Sequence, residues 1–184
     1  MEIYLVRHTT PAVEKGVCYG QTDLSLEKTF EKEFEAVLVQ LPQKVDVVFS
    51  SPLKRCSKLA SIINSNLILD NRLKELDFGD WEMKKWNDIP LREIQPWYND
   101  FVNESCLGGE SYYDLSLRVI EFYEGIIKLN YKVVVIVAHS GVIRSLLAYV
   151  NTIELNKSFD TFKIPYGKVI KIEVGSTGLV LESV

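Results

Sequence analysis

The sequence contains two histidines, His8 and His139, and each directly follows a short run of apolar, β-forming residues. Because such runs are typical of buried strands, we expect both imidazoles at strand ends. In open α/β sheets, ligands bind beyond the carboxyl ends of the strands. A neutral imidazole is a nucleophile and a proton carrier near neutral pH, so the pair could catalyse group transfer. A single histidine in such a place is more often structural, but two in equivalent places favour a shared site.

Two arginines occupy positions that suit an anion. Arg7 ends the first apolar run, where a buried guanidinium needs a partner, either a carboxylate of the domain or a bound phosphate. Arg55 is predicted in the first turn of a helix, where free amides and the helix dipole attract anions. Arg144, on the helix after His139, is interpreted as a surface residue. A phosphate site would have to be locally positive, because the chain carries a net charge of −4.

The composition is that of one ordinary globular domain. With 184 residues, 47% of them hydrophobic, the chain can bury a core without disulfides or metals. The acidic balance gives no basic surface for nucleic acid, and no apolar run approaches the length of a membrane span. Cys18, Cys56 and Cys106 are odd in number and far apart. This spacing predicts neither a disulfide framework nor a zinc site, and it favours a reducing, cytoplasmic location.

Strand and helix patterns alternate along the chain. Predicted strands cover 3–6, 45–49, 67–69, 133–138, 169–174 and 179–181, with a turn at 175–178 before the last one. Predicted helices cover 25–41, 52–64, part of 86–101, 110–129 and 140–150. The alternation predicts an α/β three-layer sandwich, with a mostly parallel sheet flanked by helices and an antiparallel C-terminal edge. We expect one domain over 1–184, in which residues 71–110 form a cap over the site.

Four segments, in order, resemble the motifs of the histidine phosphatase superfamily, which includes the cofactor-dependent phosphoglycerate mutases. Residues 5–8 resemble its "RHG" signature, and segments 51–60, 73–82 and 137–141 resemble the three motifs that follow. The resemblance implies that His8 is the nucleophile that becomes phosphorylated. It also implies that Arg7, Arg55 and His139 hold the phosphoryl oxygens.

The third motif implies that Glu75 is the proton donor and acceptor, with Glu82 as the rival carboxylate. General acid help of this kind is commonly worth about 10²–10⁴-fold in rate. Phosphoryl transfer by these groups requires no metal and no cofactor, because positioning and N–H donors stabilise the charge. We therefore expect neither a metal nor a cofactor.

Loop residues resemble one branch of the superfamily, the α-ribazole phosphatases of cobalamin assembly. The likeness lies in segments 9–11, 16–24, 72–90 and 108–111, although Met83 stands where related sequences often have glycine. It implies removal of the phosphate from α-ribazole 5′-phosphate during nucleotide-loop assembly. Gln21 and Thr22 could bind the phosphate or sugar, or form a surface turn. The aromatic middle region is expected to be mostly core, with some rings lining a pocket for a flat base: Trp81, Trp86, Trp97, Tyr98, Tyr112 and Tyr113.

Three alternatives share these residues. A phosphoglycerate mutase would use the same catalytic groups, and a broad phosphatase would act on sugar phosphates or nucleotides. A catalytically inactive binding module would keep the fold alone. In the favoured interpretation the partner is a small-molecule phosphate ester, with no nucleic acid and no membrane, and the protein is a monomer or homodimer.

Overall fold

The computed structural model describes residues 1–175 and 180–183. Its strands are β1 (Glu2–Arg7), β2 (Val47–Ser50), β3 (Leu67–Leu69), β4 (Val133–Ala138), β5 (Val169–Val174) and β6 (Val180–Ser183). Within the described residues they form one six-stranded sheet in the order β3-β2-β4-β1-β5-β6. The first four of these are parallel, whereas β5 pairs antiparallel with β1 and β6 antiparallel with β5. The predicted mostly parallel sheet with an antiparallel C-terminal edge is confirmed.

Helices cover both faces of the sheet. They are α1 (Phe30–Leu38), α2 (Lys54–Ile63), α3 (Leu91–Asn99), α4 (Tyr112–Ile126), α5 (Ser140–Val150) and the single turn α6 (Ser158–Thr161). One core cluster joins side chains of α4 and α5 to one face of β1 and β4, including Leu5 and Ile136. A second cluster joins α1 and α2 to the opposite face, including Val6 and Val137. The three predicted layers are therefore present.

The register of the central strands explains why two distant histidines meet. Strand β4 is almost completely buried because helices cover both its faces, which accounts for its unbroken apolar sequence. It pairs in parallel with β1, and Arg7 lies opposite Ala138. His8 and His139 are each the next residue along their strands. Both imidazoles therefore lie at the carboxyl ends of these two parallel strands.

The predicted helix over 25–41 is wrong at its ends. The helix begins at Phe30, and Thr29 at its N-cap makes no side-chain capping bond. The preceding residues instead pair with the loop after His8: Leu26 forms a bridge with Pro11, and the Glu27 amide donates to the Thr10 carbonyl oxygen. These backbone contacts hold the segment extended, which a pattern of apolar residues cannot reveal. The predicted helix over 110–129 is shorter as well, because Ser111 caps it at Tyr112.

The segment 71–110 contains short 3₁₀ turns and α3 rather than sheet. Its Pro96 lies inside α3, so that helix tolerates one missing amide donor. Of the predicted C-terminal turn at 175–178, only Gly175 lies within the described residues. None of the described helices is both long and apolar enough to cross a lipid bilayer.

Candidate active site

His8 and His139 form the centre of the site. Their ring centroids lie 5.1 Å apart at an interplanar angle of 63°, and both residues are buried. The Nδ1–H group of His8 donates a hydrogen bond of 2.7 Å to the carbonyl oxygen of Thr9. Because a carbonyl only accepts, this contact fixes the tautomer and leaves the lone pair of a neutral imidazole on Nε2. Nε2 is thus the unprotonated nitrogen of His8, the form in which an imidazole can act as a nucleophile.

The second histidine has the opposite arrangement. The Nε–H group of Arg55 donates to Nδ1 of His139 at 3.3 Å, so that nitrogen accepts and the ring proton lies on Nε2. Nε2 is 2.9 Å from the hydroxyl oxygen of Ser51 and 3.5 Å from the Cys56 sulfur. Burial raises the pKa of the Cys56 thiol, and the thiol packs against the ring as a neutral group. The Nε2–H group of His139 thus has the Ser51 hydroxyl oxygen as its partner, and the ring lies beside that of His8.

Both imidazoles are kept neutral by their surroundings. Burial lowers the pKa of His8 well below 6.5, and the positive charge of Arg55 acts in the same direction. The pKa of His139 is lowered by burial first and then by Arg55 and His8. A protonated ring would be repelled by the guanidinium and deprived of water. Both imidazoles therefore favour the neutral form below pH 6.5.

Arg55 lies completely buried in the first turn of α2. Besides its contact with His139, its guanidinium donates to the carbonyl oxygens of Thr22, at 2.8 Å, and Gly20. Burying a guanidinium is costly unless its N–H groups find hydrogen-bond acceptors, and these contacts supply them. The loop at 20–22 therefore fixes the direction in which the remaining N–H groups of Arg55 point.

Glu82 lies beneath that loop. Its carboxylate accepts hydrogen bonds from the amides of Gly20, Gln21 and Thr22 at 2.8–3.0 Å and from the Thr22 hydroxyl. Burial would raise the pKa of Glu82, but these hydrogen bonds outweigh it and lower the pKa. The Gln21 side chain donates to the backbone oxygen of Glu75 at 3.2 Å. In this structure Gln21 and Thr22 thus serve the loop that supports Arg55, and neither lines the cavity described below.

Arg7 approaches the site from the end of β1. One terminal nitrogen donates to the Ile164 carbonyl oxygen at 2.6 Å. Its Nε–H is buried and has no hydrogen-bond partner among the described residues. Because an unsatisfied buried donor is costly, this group is suited to an anionic ligand.

Glu75 faces the same space from the segment before α3. Its Oε2 accepts from the Gly141 amide at 3.2 Å and from the Ser140 hydroxyl at 3.4 Å, while its Oε1 accepts from the Leu76 amide at 3.1 Å. The carboxyl group is therefore held at the start of the helix that His139 precedes. Of the two candidate acids, Glu75 lines the cavity and Glu82 does not.

A cavity of about 280 Å³ lies beside this cluster; Arg7, His8 and Glu75 line it, whereas Arg55 and His139 lie buried behind its wall. Its polar end contains Arg7, His8 and Glu75, and the remainder is mainly aromatic. The lining residues are Arg7, His8, Val17, Tyr19, Glu75, Leu76, Phe78, Trp86, Trp97, Phe101, Tyr112, Ser140, Gly141 and Phe159. Such a space, apolar with a few convergent polar groups, is typical of a small-molecule site.

The aromatic middle region divides between core, cavity and surface. Trp81 is fully buried in the core, while Tyr98 and Tyr113 are about half exposed. Trp86, Trp97 and Tyr112 line the cavity. The sequence patterns did not single out Phe78, Phe101 or Phe159, which line it too. Nothing in their local spacing distinguishes these rings from core residues.

Arg144 does not lie freely on the surface as expected. It is partly buried, its Nε donates to the Phe162 carbonyl oxygen at 3.1 Å, and its guanidinium lies 4.6 Å from the centroid of the Phe159 ring. Burial lowers its pKa. Arg144 thereby supports one aromatic wall of the cavity from behind. Within the described residues, no three or more histidine, cysteine, aspartate or glutamate side chains are arranged to hold a metal ion.

Two imidazoles, two guanidiniums and a carboxyl group come together where the parallel strands end, and such groups can bind and transfer a phosphoryl group. The profile of the histidine phosphatase superfamily (branch 1) matches residues 3–184. The chain belongs to that superfamily, and its enzyme class is that of the phosphatases, the hydrolases of phosphate esters.

Curated relatives and solved structures agree with this assignment. The chain is 29% identical to a putative phosphoserine phosphatase 2 of Hydrogenobacter thermophilus over 168 residues, which cover 83% of this chain and 80% of the relative. It is 24% identical to the adenosylcobalamin/alpha-ribazole phosphatase of Escherichia coli, covering 94% and 99% of the two chains. The crystal structure of the alpha-ribazole phosphatase from Shigella flexneri superposes with a TM-score of 0.90 at 23% identity, covering 100% of this chain and 95% of that one. At this identity the superposition establishes the shared fold.

Proposed function

We propose that the protein is a metal-independent phosphomonoesterase that forms a phosphohistidine on His8 and hydrolyses α-ribazole 5′-phosphate. The observation that supports the chemistry most strongly is the meeting of His8, His139, Arg7, Arg55 and Glu75 at one sheet edge. These five residues come from four separate segments of the chain, so the tertiary fold and not local structure brings them together.

In the first step, Nε2 of His8 attacks phosphorus and forms a P–N bond while the P–O bond to the alcohol breaks. Arg7, Arg55 and His139 stabilise the charge on the non-bridging oxygens. Glu75, in its carboxylic acid form, gives its proton to the leaving alkoxide. The free Nε–H of Arg7 and the preset tautomer of His8 support these assignments.

In the second step, water attacks the phosphohistidine. The Glu75 carboxylate takes a proton from that water as the P–N bond breaks, and inorganic phosphate leaves. Neutral His8 and the acid form of Glu75 are thereby restored. The proposed cycle uses N–H donors where other phosphatases use metal ions to counter the charge.

The substrate proposal rests on the aromatic part of the cavity. Trp86 and Trp97 are stacked with centroids 6.0 Å apart, and Phe159 belongs to the same cavity. Flat aromatic groups stack favourably on such rings. Among the described residues that line the cavity, Arg7 is the only cation, so a second anionic group such as the carboxylate of phosphoserine would lack a partner. The base of α-ribazole suits this environment better.

The remaining parts of the proposal concern context. Residues 71–110 supply Phe78, Trp86, Trp97 and Phe101 to the cavity, which supports a capping role for that segment. The three cysteines are free and buried, as a reducing cytoplasm would allow. A monomer or a homodimer would each leave the site complete within one chain.

A substrate panel tests the proposed activity. It should contain α-ribazole 5′-phosphate, phosphoserine, 3-phosphoglycerate, a hexose phosphate and a nucleoside monophosphate. We expect the highest kcat/KM for α-ribazole 5′-phosphate, by about tenfold, as one favourable ring stack would give. Equal values across the panel would identify a broad phosphatase, and conversion of 3-phosphoglycerate into 2-phosphoglycerate would identify a mutase.

The intermediate can be trapped directly. Mixing the protein with ³²P-labelled substrate and quenching at alkaline pH should leave label on His8. A His8→Ala variant should carry no label, whereas Cys56→Ser, a matched change in the buried site, should still be labelled. Undiminished label in His8→Ala would contradict the mechanism.

A further inference from the structure

Two tyrosines from distant parts of the chain meet beside the site. The hydroxyl oxygens of Tyr19 and Tyr166 lie 2.6 Å apart, although 147 positions separate the residues. The centroid of the Tyr166 ring lies 3.9 Å from the guanidinium carbon of Arg7, and that of the Tyr19 ring lies 5.5 Å from the guanidinium carbon of Arg55. Each tyrosine therefore contacts one of the two arginines, and a hydrogen bond joins the two.

The loop that carries Tyr166 is attached to the end of β1. The Gly167 amide donates to the His8 carbonyl oxygen at 3.2 Å, and the Arg7 amide donates to the Lys168 carbonyl oxygen at 3.0 Å. Gly167 adopts a φ of +68°, a conformation that side chains disfavour and that lets the loop turn there. The loop that carries the Tyr166 ring is consequently held in place relative to Arg7 and His8.

These contacts leave the Arg7 guanidinium little freedom. One nitrogen is tied to the Ile164 carbonyl oxygen, and the Tyr166 ring covers the guanidinium face. A long cationic side chain otherwise loses considerable rotamer entropy when it is fixed by a ligand. An aromatic ring stacked on the guanidinium reduces that loss before the ligand arrives.

We propose that Tyr166 is a positioning residue for Arg7, and that the hydrogen bond to Tyr19 holds the Tyr166 ring in place. The pair acts through Arg7 on the phosphoryl group of the substrate, so the inference rests on the proposed function. This role would explain why an aromatic residue stands at position 166, where the side chain is 39% exposed and contributes little to the core. It also gives a role to Tyr19, which lines the cavity and forms a hydrogen bond with the Tyr166 hydroxyl.

Calorimetric binding of inorganic phosphate tests the proposal in the full chain. Tyr166→Leu removes the ring and should weaken phosphate binding by roughly tenfold, within the range of a partly desolvated cation–π contact. Tyr166→Phe keeps the ring and should restore most of the affinity, with a loss of about threefold from the missing hydrogen bond. With substrate, KM should rise in Tyr166→Leu while kcat changes by less than about twofold, because the phosphoryl group is held in both ground and transition states.

A double-mutant cycle tests the role of Tyr19. Tyr19→Phe and Tyr166→Phe remove the same hydrogen bond, so the double variant should bind phosphate no more weakly than either single variant. Additive losses would overturn the coupling of the two tyrosines. The matched control is Tyr149→Leu, because Tyr149 is 42% exposed and its hydroxyl bonds to Glu124 away from the cavity.

The outcomes separate this inference from the proposed function. If Tyr166→Leu binds phosphate as tightly as the unmodified protein, the positioning role is wrong, whereas phosphohistidine formation at His8 would still stand. If the unmodified protein binds no phosphate and forms no phosphohistidine, both are wrong. Thermal unfolding of each variant verifies that changes in affinity are not changes in folding.

Discussion

The Glu75 carboxyl group occupies the space that a side chain at Gly141 would fill. Its Oε2 accepts the Gly141 amide at 3.2 Å, and a Cβ built on Gly141 would overlap Oε1. Gly141 is the second residue of α5, and His139 is the N-cap of that helix. The proposed acid and the second histidine are therefore positioned by the same helix start.

This contact predicts that Gly141→Ala displaces the proposed acid. We expect the rate of phosphohistidine formation to fall at least about tenfold, which is part of the roughly 10²–10⁴-fold that general acid catalysis contributes. Rapid-quench measurements with an alkyl phosphate would show it. The loss should be smaller with 4-nitrophenyl phosphate, because its leaving group needs no proton. Equal losses with both substrates would contradict an acid role for Glu75.

The chain offers a matched control in Gly125. This residue lies within α4, and a Cβ built on it meets no atom within 4 Å. Gly125→Ala should raise the free energy of unfolding by about 0.5–1 kcal/mol, because alanine loses less backbone entropy in a helix. Its kcat should equal that of the unmodified protein.

The meeting of the two histidines could be predicted from the sequence for a physical reason. His8 and His139 each follow a buried strand, and parallel strands end at the same edge, so their meeting depended on topology alone. The choice between Glu75 and Glu82 had no such basis, because both lie in one irregular segment. Tertiary contacts separate their positions: Glu82 accepts from the amides of the 20–22 loop, whereas Glu75 accepts from the Gly141 amide and lines the cavity.

Other parts of the site had no local signal. Phe159 and Tyr166 lie about 150 residues after His8 and reach the site through the connection between α5 and β5. Aromatic residues at such positions are usual in a core, and their types alone do not indicate a cavity. The start of α1 was misjudged for a related reason, since backbone pairing with the 10–12 loop overrides the apolar pattern.

The lowered pKa values of the histidines predict how stability depends on pH. Between 6.5 and the folded-state pKa of His8 or His139, the unfolded chain binds protons that the folded chain excludes. The contribution of each histidine to the free energy of unfolding therefore falls as the pH falls below 6.5, by up to about 1.4 kcal/mol per pH unit. Urea unfolding at pH 7.5 and 5.5 would measure this loss. In His8→Asn the loss should be smaller, and an unchanged loss would show that His8 titrates normally.

Glu82 predicts a second pH effect with a different midpoint. The pKa of Glu82 is lowered in the folded state, so its stabilisation is present above 4.5 and disappears as the pH falls through the folded-state value. Glu82→Gln should lower the free energy of unfolding at pH 7, and the difference from the unmodified protein should shrink in acid. Phosphate binding should weaken as well, because the loop that holds Arg55 loosens. Glu104→Gln, at an exposed position, is the matched control.

The aromatic wall predicts a change in substrate preference. Phe159 lines the cavity yet is 40% exposed, so Phe159→Ala removes a stacking surface at little cost to the core. We expect kcat/KM for α-ribazole 5′-phosphate to fall about three- to tenfold, as the loss of one aromatic contact would give. With glycerol phosphate, which has no ring, kcat/KM should stay within about twofold. Phe30→Ala, a ring on α1 outside the cavity, should alter neither value. Equal losses for both substrates in Phe159→Ala would show that Phe159 supports the phosphate site and not the base.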